Sequence, residues 1–232
     1  MVASKRRKII FFIFWPVLVI SFILAAFFVV LLANGYHLNQ NTWRLEKTGT
    51  IVLNGPFSGG KVNLDGTDVG GLPTSLRMLS IGRHEVIVTK DGYQTWINVF
   101  NVLAGRAIIV NNLTLFYQNP VIVKVANPDK VSVNVKNDFI LQGKNLEIKN
   151  DEIYFQGKLQ TRFSQPVLGA IYDSSINHLF VQIGSEIRTV NANDLNEFTI
   201  IKLQKPDPTI FSVSDRTLYF FDGGELYQAE IR

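Results

Sequence analysis

A run of 25 residues without any charge, residues 9–33, constrains this sequence more than any other feature. At a rise of about 1.5 Å per residue it forms a helix of roughly 37 Å, which is longer than the hydrocarbon core of a bilayer, about 30 Å. Four basic residues, Lys5 to Lys8, stand directly before it. Basic flanks remain on the cytoplasmic side of a membrane. The sequence therefore predicts a single-pass protein of the cytoplasmic membrane, with residues 1–8 in the cytoplasm, residues 9–33 in the lipid bilayer and the C-terminal part outside.

A cleaved secretory signal is the alternative interpretation of this run. Such signals have an apolar region of roughly 7–15 residues that ends at a small-residue cleavage site. Residues 9–33 form a longer run and lack such a site. We therefore expect an uncleaved signal-anchor.

The distribution of charge argues against a nucleic-acid partner. The chain has 23 Lys and Arg against 19 Asp and Glu, and the four basic residues before the apolar run account for the whole excess. The predicted exterior is therefore neutral and has no basic run of the kind that contacts a phosphate backbone. The chain also contains no cysteine, which excludes disulfides and thiolate metal sites.

Beyond residue 33 the sequence predicts a short polar stalk, residues 34–47, followed by β-strands. Tyr36 and Trp43 in the stalk are expected at the level of the lipid headgroups. From Thr48 onward, short alternating or apolar runs are separated by turn residues such as Asp65-Gly66. The predicted strands are residues 50–53, 61–64, 85–89, 94–102 and 106–115. Turns about 10 residues apart are typical of an all-β sandwich.

Several short motifs follow one another in this stretch. They are Gly-Thr-Ile-Val at residues 49–52, Pro-Phe-Ser-Gly-Gly at residues 56–60, Leu-Pro-Thr at residues 72–74, and Gly92-Tyr93. In this order they make residues 48–115 resemble a PEGA domain, with Gly60 where the family signature has alanine. The resemblance implies a noncatalytic β-sandwich module that binds or presents a ligand at the cell surface, with no catalytic residues to carry over.

A second β-rich region is predicted after a linker. Residues 116–130, which contain Pro120 and Pro128, predict the linker, and residues 131–232 form the second region. Three apolar triplets recur there at intervals of 40 and 39 residues, at residues 139–141, 179–181 and 218–220. A period near 40 is typical of propeller blades, but a closed propeller needs at least about four blades. We expect a β-meander or a partial propeller; the alternative is that short strands with glycine turns repeat by chance.

Three short strings resemble the motifs of penicillin-recognising serine enzymes. They lie at residues 47–49 (Lys-Thr-Gly), 58–61 (Ser-Gly-Gly-Lys) and 132–134 (Ser-Val-Asn). Those enzymes need the Lys-Thr-Gly motif last and the serine at the start of a helix. Here Lys-Thr-Gly comes first and Ser58 lies in a glycine turn. We expect no enzymatic activity and no cofactor.

The three histidines, His37, His84 and His178, are far apart and lack acidic ligands at metal-binding spacing. No metal site is therefore expected. His84 alternates with Val86 and Val88, which predicts a strand with the imidazole at the edge of the core.

One strand offers a candidate ligand-binding surface. Period-2 alternation places Gln94, Trp96 and Asn98 on the same face of the strand. An exposed indole between two amides is suited to stacking on a sugar ring while the amides hydrogen-bond to its hydroxyls. The alternative is that Trp96 is covered by the stalk or by the second region.

Together these patterns predict an all-β exterior on one N-terminal transmembrane helix. The expected function is noncatalytic: the exterior binds or presents itself to cell-envelope polysaccharide or to a surface protein. The alternative is a membrane-tethered sensor or assembly subunit that acts through its helix, where the small residues Ser21, Ala25 and Ala26 permit close helix packing.

Overall fold

The computed structural model describes residues 3–39, 44–55, 58–111, 113–191 and 197–232, and the side chains of the first helix from residue 14 onward. Antiparallel β-sheets make up most of the fold after the N-terminal helix. The predicted all-β class is therefore confirmed.

Helix α1 spans Ala3–Ala33 and contains the predicted apolar run. Its segment Phe14–Ala33 has a mean hydropathy of 2.9, and no residue of its most apolar window is buried. This is the one helix among the described residues that is long and apolar enough to cross a membrane. Asn34 follows the last residue of the helix, and its side-chain amide donates a hydrogen bond of 2.7 Å to the Val30 carbonyl.

The predicted stalk folds into a short hairpin, β1 (Tyr36–Asn39) and β2 (Arg44–Lys47). Lys47 Nζ lies 5.3 Å from the centroid of the Tyr36 ring. The prediction for Trp43 falls outside the described residues.

By its internal contacts the chain divides into two compact units. The first comprises Met1–Val52, Ser75–His84 and Phe100–Ile109. The second comprises Leu53–Thr74, Glu85–Val99 and Val110–Arg232. This division cuts across residues 48–115, so the two units are not the domains that the sequence predicts. The predicted domain borders stay predictions.

Residues 48–110 form two sheets. Their strands are β3 (Gly49–Leu53), β4 (Lys61–Leu64), β5 (Thr67–Gly71), β6 (Thr74–Leu79), β7 (Gly82–Thr89), β8 (Trp96–Val102) and β9 (Ala107–Val110). One sheet has the order β6-β3-β9 and the other the order β5-β4-β7-β8. The predicted strands at residues 50–53 and 61–64 are confirmed. Strands β5 and β6 were not predicted.

Two glycines show why this segment needs residues without a Cβ. Gly66 has φ +85° and, with Asp65 at φ +50°, closes the β4–β5 hairpin as a two-residue turn with positive φ at both positions. A Cβ on Gly49 would lie 2.8 Å from the Leu103 carbonyl oxygen and 3.0 Å from that of Arg106. Both are backbone atoms, so a larger residue at position 49 would displace the chain.

After β10 (Ile122–Lys124) and helix α2 (Pro128–Gly143), ten strands complete the fold. They are β11 (Leu146–Lys149), β12 (Glu152–Phe155), β13 (Lys158–Arg162), β14 (Val167–Asp173), β15 (His178–Ile183), β16 (Glu186–Asn191), β17 (Glu197–Lys202), β18 (Phe211–Ser214), β19 (Thr217–Asp222) and β20 (Glu225–Glu230). They form the sheets β11-β12-β13, β14-β15-β16-β17 and β10-β20-β19-β18. The β-meander prediction is confirmed, and the described residues form no closed propeller.

Strand β15 lies at the centre of this region, and all six of its residues are buried. Phe180 belongs to one core cluster with Phe211 and Phe220. Leu179 and Val181 belong to a second cluster on the other face, with Ile153 and Val167 among its members. Burial on both faces explains why the sequence of β15 is nearly continuously apolar.

Helix α2 corrects one prediction: the triplet at residues 139–141, predicted as a strand, lies in this helix. Gln142 Nε2 donates a hydrogen bond of 2.7 Å to the Val213 carbonyl, and Val213 N–H donates one of 3.2 Å to Gln142 Oε1. The Gln142 side chain therefore occupies the hydrogen-bonding edge of β18 as a neighbouring strand would. The Phe139 ring contacts that of Phe211 edge to face, with 5.5 Å between centroids.

The stretch predicted as a linker, residues 116–130, is also structured. Phe116 is fully buried in the core cluster of Phe180. Strand β10 pairs with β20, and α2 begins at Pro128. Of the two prolines in this stretch, Pro120 therefore precedes strand β10 and Pro128 is the first residue of α2.

Candidate binding cleft

The surface predicted around Trp96 does not form. Trp96 is only 3% exposed, and Gln94 and Asn98 are half-buried. The exposed side of β8 is instead the one that carries Ile97 and Val99. The prediction of a stacking face is wrong because the alternation was assigned to the wrong sides: the aromatic residue faces inward and the branched aliphatic residues face solvent.

His84 lies where the sequence predicts, at the edge of the core. His84 is 8% exposed, its burial matches that of Val86 and Val88, and its Nε2 lies 2.8 Å from the Ser80 carbonyl oxygen. His178 is buried with Nδ1 2.7 Å from the Ile176 carbonyl oxygen. Within the described ranges, no group of three or more His, Cys, Asp and Glu is placed to hold a metal ion.

A cleft of about 720 Å³ lies within the second unit, and sequence analysis did not predict it. Its lining combines aromatic, basic, amide and hydroxyl side chains from distant parts of the chain. The lining residues are Ser58, Lys90, Tyr93, Asn111, Leu113, Thr114, Tyr117, Ser175, Ile176, Asp215, Arg216 and Arg232. No histidine is among them.

Backbone hydrogen bonds fix the two tyrosines of the cleft. Tyr93 follows the turn at Gly92 and forms an antiparallel bridge with Tyr117. On either side of it, Gln94 N–H donates to the Phe116 carbonyl at 2.7 Å, and Gln118 N–H donates to the Gly92 carbonyl at 2.9 Å. These two hydrogen bonds form the bridge and hold the backbone of this part of the wall in one geometry.

The tyrosine rings form an aromatic pair with a cation beside it. Their centroids are 4.6 Å apart and their planes are tilted by 31°. Lys90 Nζ lies 4.8 Å from the centroid of the Tyr93 ring, within the range of a cation–π contact. The hydrogen bond with Tyr93 and partial burial raise the pKa of Tyr117 above its ordinary value. Tyr117 therefore remains neutral at physiological pH.

Ile231 joins this wall to the hairpin between β18 and β19. Its carbonyl accepts a hydrogen bond of 2.9 Å from Tyr117 N–H, and its N–H donates one of 2.8 Å to the Arg216 carbonyl. At the same hairpin tip, Arg232 Nε donates a hydrogen bond of 2.9 Å to the carbonyl of Asp215, which has φ +52°. The aromatic and the basic parts of the cleft are therefore linked through one buried residue.

The lining carries more positive than negative charge. Lys90, Arg216 and Arg232 are basic, and Asp215 is the one acidic lining residue. Arg232 already has partners within the fold, since its Nη2 also lies 3.7 Å from Asp173 Oδ2. Burial lowers the pKa of its guanidinium. Arg216 is exposed and makes no ion pair with any residue that the structure describes. It is the lining arginine most available to a ligand.

This arrangement suits noncovalent binding. Tyrosine rings offer an apolar face with a polar tip, arginine offers a planar fork for anions, and Asn111, Thr114 and Ser175 add amide and hydroxyl groups. The sequence hid the site because its parts lie up to 174 residues apart, from Ser58 to Arg232. The sequence does place each tyrosine near a residue that interrupts a strand, Tyr93 after Gly92 and Tyr117 before Pro120. However, nothing in the sequence indicates that the two tyrosines lie side by side.

The structure is that of a β-rich protein with an open cleft and, among the described residues, one long apolar helix at the N-terminus. Residues 48–115 match the family model of the PEGA domain. This match covers less than a third of the chain. It indicates a protein of the cell surface or the periplasm. None of the curated proteins matches the chain.

Proposed function

We propose that the protein is a noncatalytic, membrane-anchored cell-surface protein whose exterior binds cell-envelope polysaccharide. The observation that carries the anchoring is the apolar segment Phe14–Ala33, in which no residue of the most apolar window is buried by the rest of the chain. Soluble proteins rarely expose contiguous apolar patches of more than a few hundred Å², so a helix of mean hydropathy 2.9 with no buried residue in that window favours a lipid environment. The basic residues Lys5 to Lys8 favour the cytoplasm for its N-terminus.

The cleft supports the binding role. It supplies an ordered pair of tyrosines with hydroxyl and amide groups around it. Sites for small ligands usually combine aromatic surface with a few convergent polar groups in a volume of about 300–1,000 Å³, and the cleft of about 720 Å³ lies within this range. The ligand-binding surface proposed here is therefore the cleft, and it replaces the surface around Trp96.

Co-sedimentation with purified, insoluble wall polysaccharide tests this function. The full-length chain in detergent micelles should sediment with the polymer, and Tyr93→Ala should remain in the supernatant because the aromatic pair is lost. Tyr219→Ala is the matched control, since this half-buried tyrosine of β19 does not line the cleft. A wild-type chain that stays in the supernatant, or a Tyr93→Ala variant that sediments as well as the wild type, contradicts the proposal.

A further inference from the structure

We infer that the cleft binds an acidic polysaccharide, with a sugar ring against Tyr93 and Tyr117 and the acidic group of the sugar at Arg216. The inference rests on the proposed function and adds the chemical class of the ligand. Either a carboxylate or a phosphate supplies the negative charge. Both anions present two oxygens that a guanidinium can bind with two parallel hydrogen bonds.

The first support is the ordered aromatic surface. The bonds at Gln94 and Gln118 hold the backbones of the two tyrosines side by side, and their ring centroids lie 4.6 Å apart. Side chains that are already fixed lose little conformational entropy when a ligand binds. Tyrosine also presents an apolar ring and a hydroxyl together, which match the two kinds of surface that a sugar ring offers.

The second support is the position of Arg216. It stands at the tip of the β18–β19 hairpin, and its carbonyl is fixed by Ile231 N–H at 2.8 Å. The Ile231 carbonyl also accepts a hydrogen bond from Tyr117 N–H. These bonds therefore fix the distance between the backbone of Arg216 and that of Tyr117. The side chain of Arg216 is exposed and without an ion pair among the described residues.

The third support is the balance of charge around Arg216. Lys90 and Arg232 add two positive charges to the lining. Asp215 is the one carboxylate in the lining, while Asp173 lies beside Arg232 and Glu230 acts on Tyr117. The charge of Arg216 is close enough to oppose that of Arg232. An anion at Arg216 relieves this repulsion, whereas a neutral sugar does not.

Two matched polymers separate charge from sugar recognition. Polygalacturonate and its fully methyl-esterified form have the same sugar ring, but only the first carries carboxylates. Binding of the full-length chain in detergent micelles is measured by biolayer interferometry at fixed ionic strength, with phosphomannan, whose sugar rings carry phosphate, as the phosphate-bearing probe. We expect at least tenfold tighter binding to polygalacturonate or to phosphomannan than to the methyl ester, and the stronger of the two identifies the anion.

The variant Arg216→Ala tests the residue. We expect it to weaken binding of the acidic polymer at least tenfold and to change binding of the methyl ester less than twofold. Arg77→Ala, an exposed arginine of β6 that does not line the cleft, is the control and should change neither. The circular dichroism spectrum of each variant confirms that it folds.

Each other outcome overturns the inference. Equal binding of polygalacturonate and its methyl ester removes the role of charge but leaves the proposed function intact. Unchanged binding by a folded Arg216→Ala variant removes the assigned residue. If the chain binds none of the three polymers but still sediments with wall polysaccharide, the acidic ligand is rejected and the proposed function stands. Failure of that sedimentation as well, with capture of an envelope protein instead, rejects the polysaccharide altogether.

Discussion

Trp96 shows how one side chain changes the interpretation of a surface. Its ring is 3% exposed, so it contributes to the stability of the fold. We expect Trp96→Ala to lower the free energy of unfolding by about 3–5 kcal/mol, since the substitution leaves a large cavity. Ile97→Ala is the control. Ile97 is the next residue of the strand and is 42% exposed, so its substitution should lower the free energy of unfolding by less than about 1 kcal/mol. Chemical denaturation of the full chain in micelles measures both, and a Trp96→Ala variant as stable as Ile97→Ala would contradict the buried position.

A second residue-scale prediction concerns pH. Arg188 lies 2.7 Å from Glu186 and 2.7 Å from Glu197, and Thr199 Oγ1 donates to Glu186 at 3.1 Å. Burial alone raises the pKa of Glu186, but the hydrogen bonds from Arg188 and Thr199 outweigh it, so its pKa is lowered in the folded protein. The stabilisation is therefore complete above the pKa of an unfolded glutamate, about 4.3. It is lost as the pH falls through the lower pKa of the folded state.

The variant Glu186→Gln measures this contribution. At pH 7 we expect it to be less stable than the wild type by about 1 kcal/mol, the upper end for partly exposed ion pairs. The difference should shrink as the pH drops below 4. The control Ser214→Ala, at an exposed position of β18 that carries no titratable group, should show no such dependence. A constant difference between pH 7 and pH 3 would refute the ion-pair account.

At the scale of elements, α2 acts as the cover of a sheet edge. Gln142 pairs with both backbone groups of Val213, which is 4% exposed. In Gln142→Ala these groups lose their partners, which costs about 1–3 kcal/mol of stability. Amide exchange at Val213 should become faster than in the wild type. Asn137→Ala, on the exposed side of the same helix, should leave both quantities unchanged; equal effects of the two substitutions would show that Gln142 does not cover the edge.

The same helix shows what sequence patterns can and cannot predict about an element. Strands β4, β15 and β19 follow from apolar runs closed by turn residues such as Asp65-Gly66 and Gly223-Gly224. Helix α2 has Pro128 at its first turn, a start signal. However, Val131, Val133 and Val135 favour strands, and the helix buries few residues. Its contacts with β18 decide its conformation, and these contacts are not visible in the local sequence.

On the scale of the whole molecule, the part of the chain after the N-terminal helix combines sheets, many of whose strands short local patterns predict, with a cleft that these patterns do not predict. Turn chemistry and alternation act over a few residues, so strands such as β3 and β4 could be predicted. In the cleft, hydrogen bonds to Ile231 join Tyr117 to Arg216, and a backbone bridge joins Tyr117 to Tyr93. Such long-range connections leave no periodic signal in the sequence, which is why Trp96 rather than Tyr93 was predicted to bind a ligand.

The location of this cleft relative to the membrane is the central claim, and the absence of cysteine allows a direct measurement. Single cysteines are introduced as Ser4→Cys before the apolar run and as Ser214→Cys at an exposed position next to the cleft. Cells that express each variant are treated with a membrane-impermeant maleimide. We predict that Ser214→Cys is labelled in intact cells and that Ser4→Cys is labelled only after lysis, with both chains in the membrane fraction at full length. Labelling of Ser4→Cys in intact cells, protection of Ser214→Cys, or release of a shortened chain that lacks residue 4 would contradict the account.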